Sequence, residues 1–240
     1  MISPVPEEVG GYVLAGGKSS RMGRDKALLE LAGKPLVRHA VKKLLRVCMD
    51  VRVLSDNVEL AEYAPIVGDI HPGCGPMSGM EAALLHSIFE WNLFLAVDMP
   101  FVPSALISGW LRVWLRESKH GGGARVRMFT VDGYSQPGFC LLHKDVGPFL
   151  TAALEQGQYK LVPTLEAAGR ELAVRQGLLP GVGFWNVPMS GFRSTRGLGR
   201  KEEWCYTTDA QQEVEHLWFA NLNTPEELAE AERHLDALDT

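Results

Sequence analysis

The chain has 240 residues, of which 46% are hydrophobic and 22% charged, and these proportions are typical of a globular protein with a sizeable core. Its formal net charge of −5 argues against nucleic acid as a partner, because binding to a phosphate backbone requires a basic surface. The longest apolar run near the middle, Leu93 to Val97, stops at Asp98, and the first residues lack the apolar stretch of a signal peptide, so the sequence predicts a soluble, cytoplasmic protein that makes no contact with a membrane.

In the first half of the chain, short apolar runs alternate with stretches of helical periodicity. The runs predict strands at residues 12–15, 51–54, 66–67 and 93–97. The periodic stretches predict helices at residues 35–48, 76–90 and 103–116. In the last of these helices, Trp110 and Trp114 share an apolar face, which indicates core packing. Strands that alternate with helices favour a doubly wound α/β fold, in which a mostly parallel sheet binds ligands at the carboxyl ends of its strands.

The second half of the chain has a less regular pattern. It predicts two strands and a helical region, at residues 124–131, 136–142 and 144–169. Thr224-Pro225-Glu226-Glu227 has the residues of a helix start with a capping box. Residues 181–215 show no clear period and contain many glycines, which predicts a long, extended loop at about 183–216. Because the sequence has no repeat and no linker, a single domain over residues 1–240 is expected.

A glycine-rich segment at the end of the first predicted strand is the most informative part of the sequence. From position 14 to position 29 it reads Leu-Ala-Gly-Gly-Lys-Ser-Ser-Arg-Met-Gly-Arg-Asp-Lys-Ala-Leu-Leu. Adjacent glycines at a strand end let backbone N–H groups approach an anion closely, and the four cations that follow them are suited to a triphosphate. A strand-end turn followed by a solvated basic loop is the alternative.

Two common phosphate-binding motifs do not fit this segment. A Walker A loop requires glycine where Tyr12 stands, and the dinucleotide fingerprint requires a residue between its first two glycines, whereas Gly16 and Gly17 are adjacent. The segment therefore belongs to a different kind of nucleotide site, if it binds phosphate at all.

The segment resembles the opening signature of the molybdenum cofactor guanylyltransferases, within the wider MobA-like nucleotidyltransferase family. Later segments resemble further elements of that family in the same order: Gly33-Lys34-Pro35-Leu36, Gly75-Pro76-Met77-Ser78-Gly79, Asp98-Met99-Pro100, Gln136-Pro137 and Asn221-Leu222-Asn223-Thr224-Pro225. The stretch 183–216 is longer than the family pattern, which leaves the shape of the second-substrate side open.

The resemblance implies a Rossmann-like nucleotidyltransferase that joins GMP from GTP to the phosphate of molybdopterin and releases pyrophosphate. It implies Mg²⁺ as cofactor, GTP and molybdopterin (or the molybdenum cofactor) as substrates, and transient contacts with proteins that deliver or accept the cofactor. Residues 10–120 would bind the nucleotide, and residues 121–240 would form the second-substrate side. In the stretch 183–216, which departs from the family pattern, the basic residues Arg193, Arg196, Arg200 and Lys201 are predicted to help to receive the phosphate of the pterin.

The same resemblance assigns roles to individual residues. Nucleotide-binding roles fall on Leu14, Ala15, Gly16, Gly17, Lys26, Ser55, Asp69 and Asp98. Contacts with the second substrate fall on Gly75, Gly79, Asn221 and Asn223. Arg21 and Lys26 would neutralise charge on the transferring and leaving phosphates, and Asp98, at a strand end, would hold Mg²⁺ together with substrate phosphates.

Asp69 is the residue expected to choose the base. A carboxylate accepts hydrogen bonds only, and guanine offers two adjacent donors, whereas adenine and cytosine present a lone pair at the corresponding position. Purely structural roles compete with these assignments. Asp69 can cap the turn at His71-Pro72, Asp98 can cap a turn before Pro100, and Asn221 and Asn223 can form Asx-turns.

Three other functions are compatible with the sequence. A pterin cytidylyltransferase would use CTP in the same fold, but those enzymes tend to carry alanine at the position of Gly16. A sugar-1-phosphate nucleotidyltransferase usually continues its loop with Thr-Arg-Leu, where this chain has Ser20-Arg21-Met22. A non-catalytic nucleotide-binding protein of the same fold would not need Lys26 and Asp98.

Overall fold

The computed structural model describes residues 9–16, 25–118, 123–188 and 207–239. Within these residues the strands are β1 Val9–Leu14, β2 Glu30–Leu31, β3 Lys34–Pro35, β4 Asp50–Leu54, β5 Ile66–Val67, β6 Trp91–Ala96, β7 Val126–Val131, β8 Tyr134–His143 and β9 Phe184–Pro188. Seven of them form one sheet in the order β5-β4-β1-β6-β8-β7-β9, and β2 and β3 form a separate ribbon.

The sheet is parallel except for β8, which runs antiparallel to both of its neighbours. In the parallel half, Leu14 of β1 pairs with Leu54 of β4 on one side and with Ala96 of β6 on the other. The carboxyl ends of these strands, and that of β5, therefore lie along one edge. The predicted mostly parallel α/β sheet is confirmed.

Helices cover both faces of the sheet. They are α1 Leu36–Leu44, α2 Pro76–His86, α3 Ser104–Ser118, α4 Gly147–Glu155, α5 Leu161–Arg175, α6 Asp209–Glu213 and α7 Pro225–Ala231. Alternate residues of the central strands feed two separate cores: Leu93 and Leu95 of β6 pack with α1 and α3, whereas Phe94 between them packs with α2, α4 and α5. This alternation is the period-two pattern of a strand buried on both faces.

The core contacts of α3 confirm the core packing predicted for its two tryptophans. Trp110 is fully buried, and its ring centroid lies 5.0 Å from that of Phe129 and 5.1 Å from that of Phe139. Trp114 is also buried. None of the described helices is both long enough and apolar enough to cross a membrane.

The prediction of a long loop at 183–216 is wrong at both of its ends. Phe184–Pro188 forms β9, which pairs with β7, and Asp209–Glu213 forms α6, whose start has a capping box between Thr208 and Gln211. One of the many glycines in this stretch serves packing, because a side chain at Gly183 would collide with the carbonyl oxygen of Gly169. Residues 189–206, with the four basic residues assigned to phosphate binding, lie outside the described part of the chain.

Two predicted helices are shorter than expected. The helix predicted to reach residue 48 ends at Leu44. The helix predicted to reach residue 90 ends at His86, because Ser87 has an extended backbone with φ −68° and ψ 134°. Beyond α1, Val47 and Cys48 are buried although they lie outside the helix, so the apolar periodicity continues past the helix end. Beyond α2, Ile88 is exposed and does not continue a buried face.

Candidate active site

A cleft of about 510 Å³ opens at the carboxyl ends of β1, β4 and β5. Seven residues that the sequence singled out lie along it: Leu14, Ala15, Gly16, Ser55, Asp69, Gly75 and Gly79. They meet because parallel strands deliver their following loops to the same edge of the sheet. The sequence missed other lining residues, among them Asp25, Asp56, Asn57 and Gly73.

Two glycines shape the wall of the cleft next to α2. Gly75, with φ +74°, precedes the first residue of α2, in a conformation that side chains rarely adopt. A Cβ atom at Gly79 would lie 3.2 Å from Oδ1 of Asp69 and 3.3 Å from Cβ of Leu54, so glycine lets the helix pack against the cleft. The sequence assigned both glycines to the second substrate, and the structure brings them together with Ser55 and Asp69.

Asp69 lies in a negatively charged part of the cleft. Partial burial is the main cause that raises the pKa of Asp69 above the usual range, and the nearby carboxylates of Asp56 and Glu81 raise this pKa further. The backbone N–H of Asp69 donates to Oδ1 of Asp56 at 3.2 Å. A carboxylate in these surroundings favours a ligand that donates hydrogen bonds to it.

The segment that follows Asp69 is attached to α2 through His71. The backbone N–H of His71 donates to the hydroxyl of Ser78 at 2.8 Å, and Nδ1 of His71 lies 2.8 Å from Oε2 of Glu81. Glu81 is fully buried. These contacts fix the loop that runs from Asp69 to Gly75, both of which line the cleft. Neither His71 nor Glu81 was assigned a role from the sequence.

A second set of hydrogen bonds joins the end of β4 to the segment around Lys26. The hydroxyl of Ser55 accepts from the backbone N–H of Asn57 at 3.1 Å, and the side-chain amide of Asn57 donates to Oδ2 of Asp25 at 2.6 Å. Oδ1 of Asp25 accepts from the backbone N–H of Ala27 at 2.9 Å and caps the short 3-10 helix at Lys26–Leu28. Asp25 therefore connects the cleft to Lys26.

Lys26, Asp98 and Asn223 meet beside the cleft, beyond the end of β6. Nζ of Lys26 lies 2.5 Å from Oδ2 of Asp98 and donates to Oδ1 of Asn223 at 2.8 Å. The backbone N–H of Leu222 donates to the carbonyl oxygen of Asp98 at 3.0 Å, which ties the segment before α7 to the end of β6. Among the described residues, Oδ1 of Asp98 is buried and has no hydrogen-bond partner.

Asn221 contributes its backbone to this group. Its carbonyl oxygen accepts from the side-chain amide of Asn223 at 3.3 Å, and the capping box of α7, with Thr224 and Glu227, holds the turn that follows. The helix start predicted at Thr224 is confirmed. Gly17 and Arg21 lie outside the described residues.

The chain is similar to known nucleotidyltransferases over most of its length. The family model described as the MobA-like NTP transferase domain matches residues 11–169, a range that contains Lys26, Asp69 and Asp98. A molybdenum cofactor guanylyltransferase of Serratia proteamaculans is 35% identical over 170 residues, which cover 68% of this chain and 82% of that protein. A molybdenum cofactor guanylyltransferase of Pseudomonas putida is 36% identical over 159 residues, covering 64% and 80% respectively.

The fold is also found in a solved structure. Molybdopterin-guanine dinucleotide biosynthesis protein A from Archaeoglobus fulgidus superimposes with a TM-score of 0.68 at 23% sequence identity, covering 95% of this chain and 100% of that one. At this identity the likeness supports the fold, and the assignment of chemistry depends on the residues of the site.

Proposed function

The chain belongs to the MobA-like NTP transferase domain family, and on this basis we propose that it transfers GMP from GTP to molybdopterin, releasing pyrophosphate. The observation that carries the proposal is the group of Lys26, Asp98 and Asn223 at the sheet edge, next to a cleft that can take a nucleotide. Relatives that share about a third of their residues with this chain are molybdenum cofactor guanylyltransferases.

In this proposal the guanine base lies in the cleft and the phosphates run along Gly16 toward Lys26. Asp69 accepts hydrogen bonds from N1–H and N2–H of guanine, a pattern that adenine and cytosine cannot offer. The carboxylates of Asp56 and Glu81 near Asp69 support this assignment, because they disfavour a base that presents a lone pair there.

The reaction needs positioning and charge neutralisation more than covalent work by the protein. An oxygen of the molybdopterin phosphate attacks the α-phosphorus of GTP, and the bond to the oxygen that bridges the α- and β-phosphorus breaks to release pyrophosphate. Lys26 neutralises negative charge on the phosphates, and Asp25 holds the backbone next to Lys26. Asn223, which accepts a hydrogen bond from Lys26, and Asn221, whose carbonyl oxygen accepts from Asn223, contact the incoming pterin substrate.

A magnesium ion fits the same group of residues. Oδ1 of Asp98 is a buried carboxylate oxygen without a hydrogen-bond partner among the described residues, and one carboxylate together with substrate phosphates is a common way to hold Mg²⁺. When bound, the ion would supply positive charge to the phosphate oxygens. Within the described ranges no three His, Cys, Asp or Glu side chains form a cluster able to hold a metal by themselves, so the phosphates would complete the site.

A comparison of nucleotides tests the proposal. The protein is incubated with Mg²⁺, molybdopterin and GTP, CTP, ATP or UTP in turn, and the pterin dinucleotide and pyrophosphate are quantified. We expect both products from GTP. Product from CTP alone would make the protein a pterin cytidylyltransferase, and nucleotide binding without any product would make it a non-catalytic binding protein. Contacts with proteins that deliver or accept the cofactor stay a prediction.

A further inference from the structure

Lys43 of α1 is a buried lysine that reaches the turn after Asp98. Its side chain is 2% exposed, and its ammonium group donates to the carbonyl oxygen of Pro100 at 2.6 Å and also to the carbonyl oxygen of Val102. Lysine is almost never fully buried unless it is paired. Because this charge lies under the Asp98-Met99-Pro100 segment, we ask what its hydrogen bonds do for that segment.

The turn that Lys43 reaches is enclosed by protein on its other sides. The side chains of Met99, Phe101 and Val102 are buried, and the backbone N–H of Met99 donates to the carbonyl oxygen of Ala96 at 3.2 Å. In this enclosed turn, Lys43 supplies hydrogen bonds to two carbonyl groups at once. Without that ammonium group both carbonyl oxygens would lose their donor, and a buried carbonyl without a donor costs about 1–3 kcal/mol. The turn would move to regain hydrogen bonds, and Asp98 would move with it.

A carboxylate balances the charge of Lys43. Oδ2 of Asp239 lies 4.0 Å from Nζ of Lys43 and accepts from the backbone N–H of Ser104 at 2.6 Å, immediately after the turn. Oδ1 of Asp239 accepts from the side-chain amide of Gln211 at 2.9 Å and lies 3.9 Å from Nη1 of Arg46. Lys43 and Asp239 thus hold the segment between β6 and α3 at its middle and at its end.

We propose that Lys43 is a positioning residue for catalysis: its hydrogen bonds to Pro100 and Val102 set the turn that aims the carboxylate of Asp98 at the phosphate and metal site. Lys43 itself touches neither substrate nor metal in this account. The inference deepens the proposed function and rests on it for its effect on turnover. Its structural part, the hold of Lys43 on the turn, is independent of what the enzyme transfers.

Lys43→Met tests the proposal, with Lys42→Met as its control. Methionine keeps an unbranched side chain of similar length and removes the donor, whereas Lys42 is an exposed lysine of the same helix. In Lys43→Met we expect kcat to fall about tenfold to a hundredfold, because small misplacements of catalytic groups are costly. The Mg²⁺ concentration for half-maximal rate should rise about tenfold, while KM for GTP stays within about twofold because the cleft is untouched. Lys42→Met should match the parent enzyme.

Hydrogen exchange separates this inference from the proposed function. The non-proline amides of residues 97–102 should exchange about tenfold faster in Lys43→Met than in the parent protein, whereas amides of β1 and β4 should exchange at unchanged rates. Unchanged exchange in the turn would overturn the proposal, and so would a kcat within about twofold of the parent. A general loss of protection across the sheet would also overturn it, because Lys43 would then stabilise the fold as a whole. If the parent protein transfers no nucleotide, the proposed function fails, and the exchange data still decide whether Lys43 holds the turn.

Discussion

The ammonium nitrogen of Lys26 lies 2.5 Å from Oδ2 of Asp98, although 72 residues separate the two in the sequence. Lys26 begins the short 3-10 helix that follows β1 in the sequence, and Asp98 lies just after β6, a strand that neighbours β1 in the sheet. The pairing leaves Oδ1 of Asp98 buried and without a partner among the described residues. A charged pair with one free carboxylate oxygen is thus in place where the parallel strands end.

Asp98→Ala should remove nearly all turnover while the protein stays folded. The substitution removes the carboxylate that holds Mg²⁺ in the proposed mechanism, and the loss of such a group costs about a hundredfold or more in rate. Initial rates measured over a range of Mg²⁺ concentrations should show only weak rescue, and the melting temperature should show that the fold persists. Asp236→Ala, at an exposed carboxylate, serves as control. A rate within threefold of the parent would mean that the metal is held elsewhere.

Lys26→Met should weaken GTP binding more than GMP binding. Hydrogen bonds to charged groups contribute about 1.5–3 kcal/mol, so the loss for GTP should be about tenfold to a hundredfold. The loss should grow with the charge of the ligand, because the ammonium group acts on the phosphates. Titration calorimetry with both nucleotides measures the difference, with Lys34→Met as a control on the neighbouring ribbon. Equal losses for GTP and GMP would place Lys26 away from the phosphates.

Asp69→Asn should narrow the preference for GTP over ATP and CTP. The amide replaces one of the two acceptor oxygens by a donor, which suits guanine less and the other bases more. Competition between the three nucleotides in the transfer assay measures the change in selectivity. If all three lose affinity by the same factor, Asp69 shapes the cleft and the base is chosen by the backbone at Leu14 and Ala15.

The same substitution should stabilise the protein at neutral pH when no ligand is bound. The pKa of Asp69 is raised by burial and by the carboxylates of Asp56 and Glu81, so folding costs energy once the group is ionised. This unfavourable contribution to the free energy of folding is absent below the usual pKa of an aspartate, and it develops as pH rises toward and through the elevated pKa of Asp69. The melting temperature of Asp69→Asn should therefore exceed that of the parent at pH 7, and the difference should shrink in acid. A lower melting temperature at pH 7 would contradict this account of the cleft.

Much of the fold and part of the site could be predicted from local sequence patterns. The alternation of apolar runs and helical stretches predicted the sheet, and the ends of those runs pointed to Leu14, Ser55 and Asp69. These residues meet because parallel strands end at one edge, a rule that needs no knowledge of side-chain contacts. Trp110 could likewise be assigned to the core from its helical face.

The remaining parts depend on contacts between distant segments. The side chains of Asn57 and Asp25 are 32 positions apart, and their hydrogen bond follows from the way two loops are brought together by the sheet. In the sequence, nothing distinguishes Lys43 from its exposed neighbour Lys42. Lys43 is buried because α1 packs under the turn that follows β6. β9 was missed because five residues next to glycines carry too little periodicity to be recognised.

The fate of the individual phosphates of GTP tests the central claim most directly. Two reactions are run with Mg²⁺ and molybdopterin, one with GTP radiolabelled at the α-phosphate and one with GTP radiolabelled at the γ-phosphate. Transfer of GMP predicts that the α-label appears in the pterin product and the γ-label in pyrophosphate, in equal amounts. Release of the γ-label as inorganic phosphate, or its transfer to the pterin, would contradict the account, because the protein would then be a GTPase or a kinase.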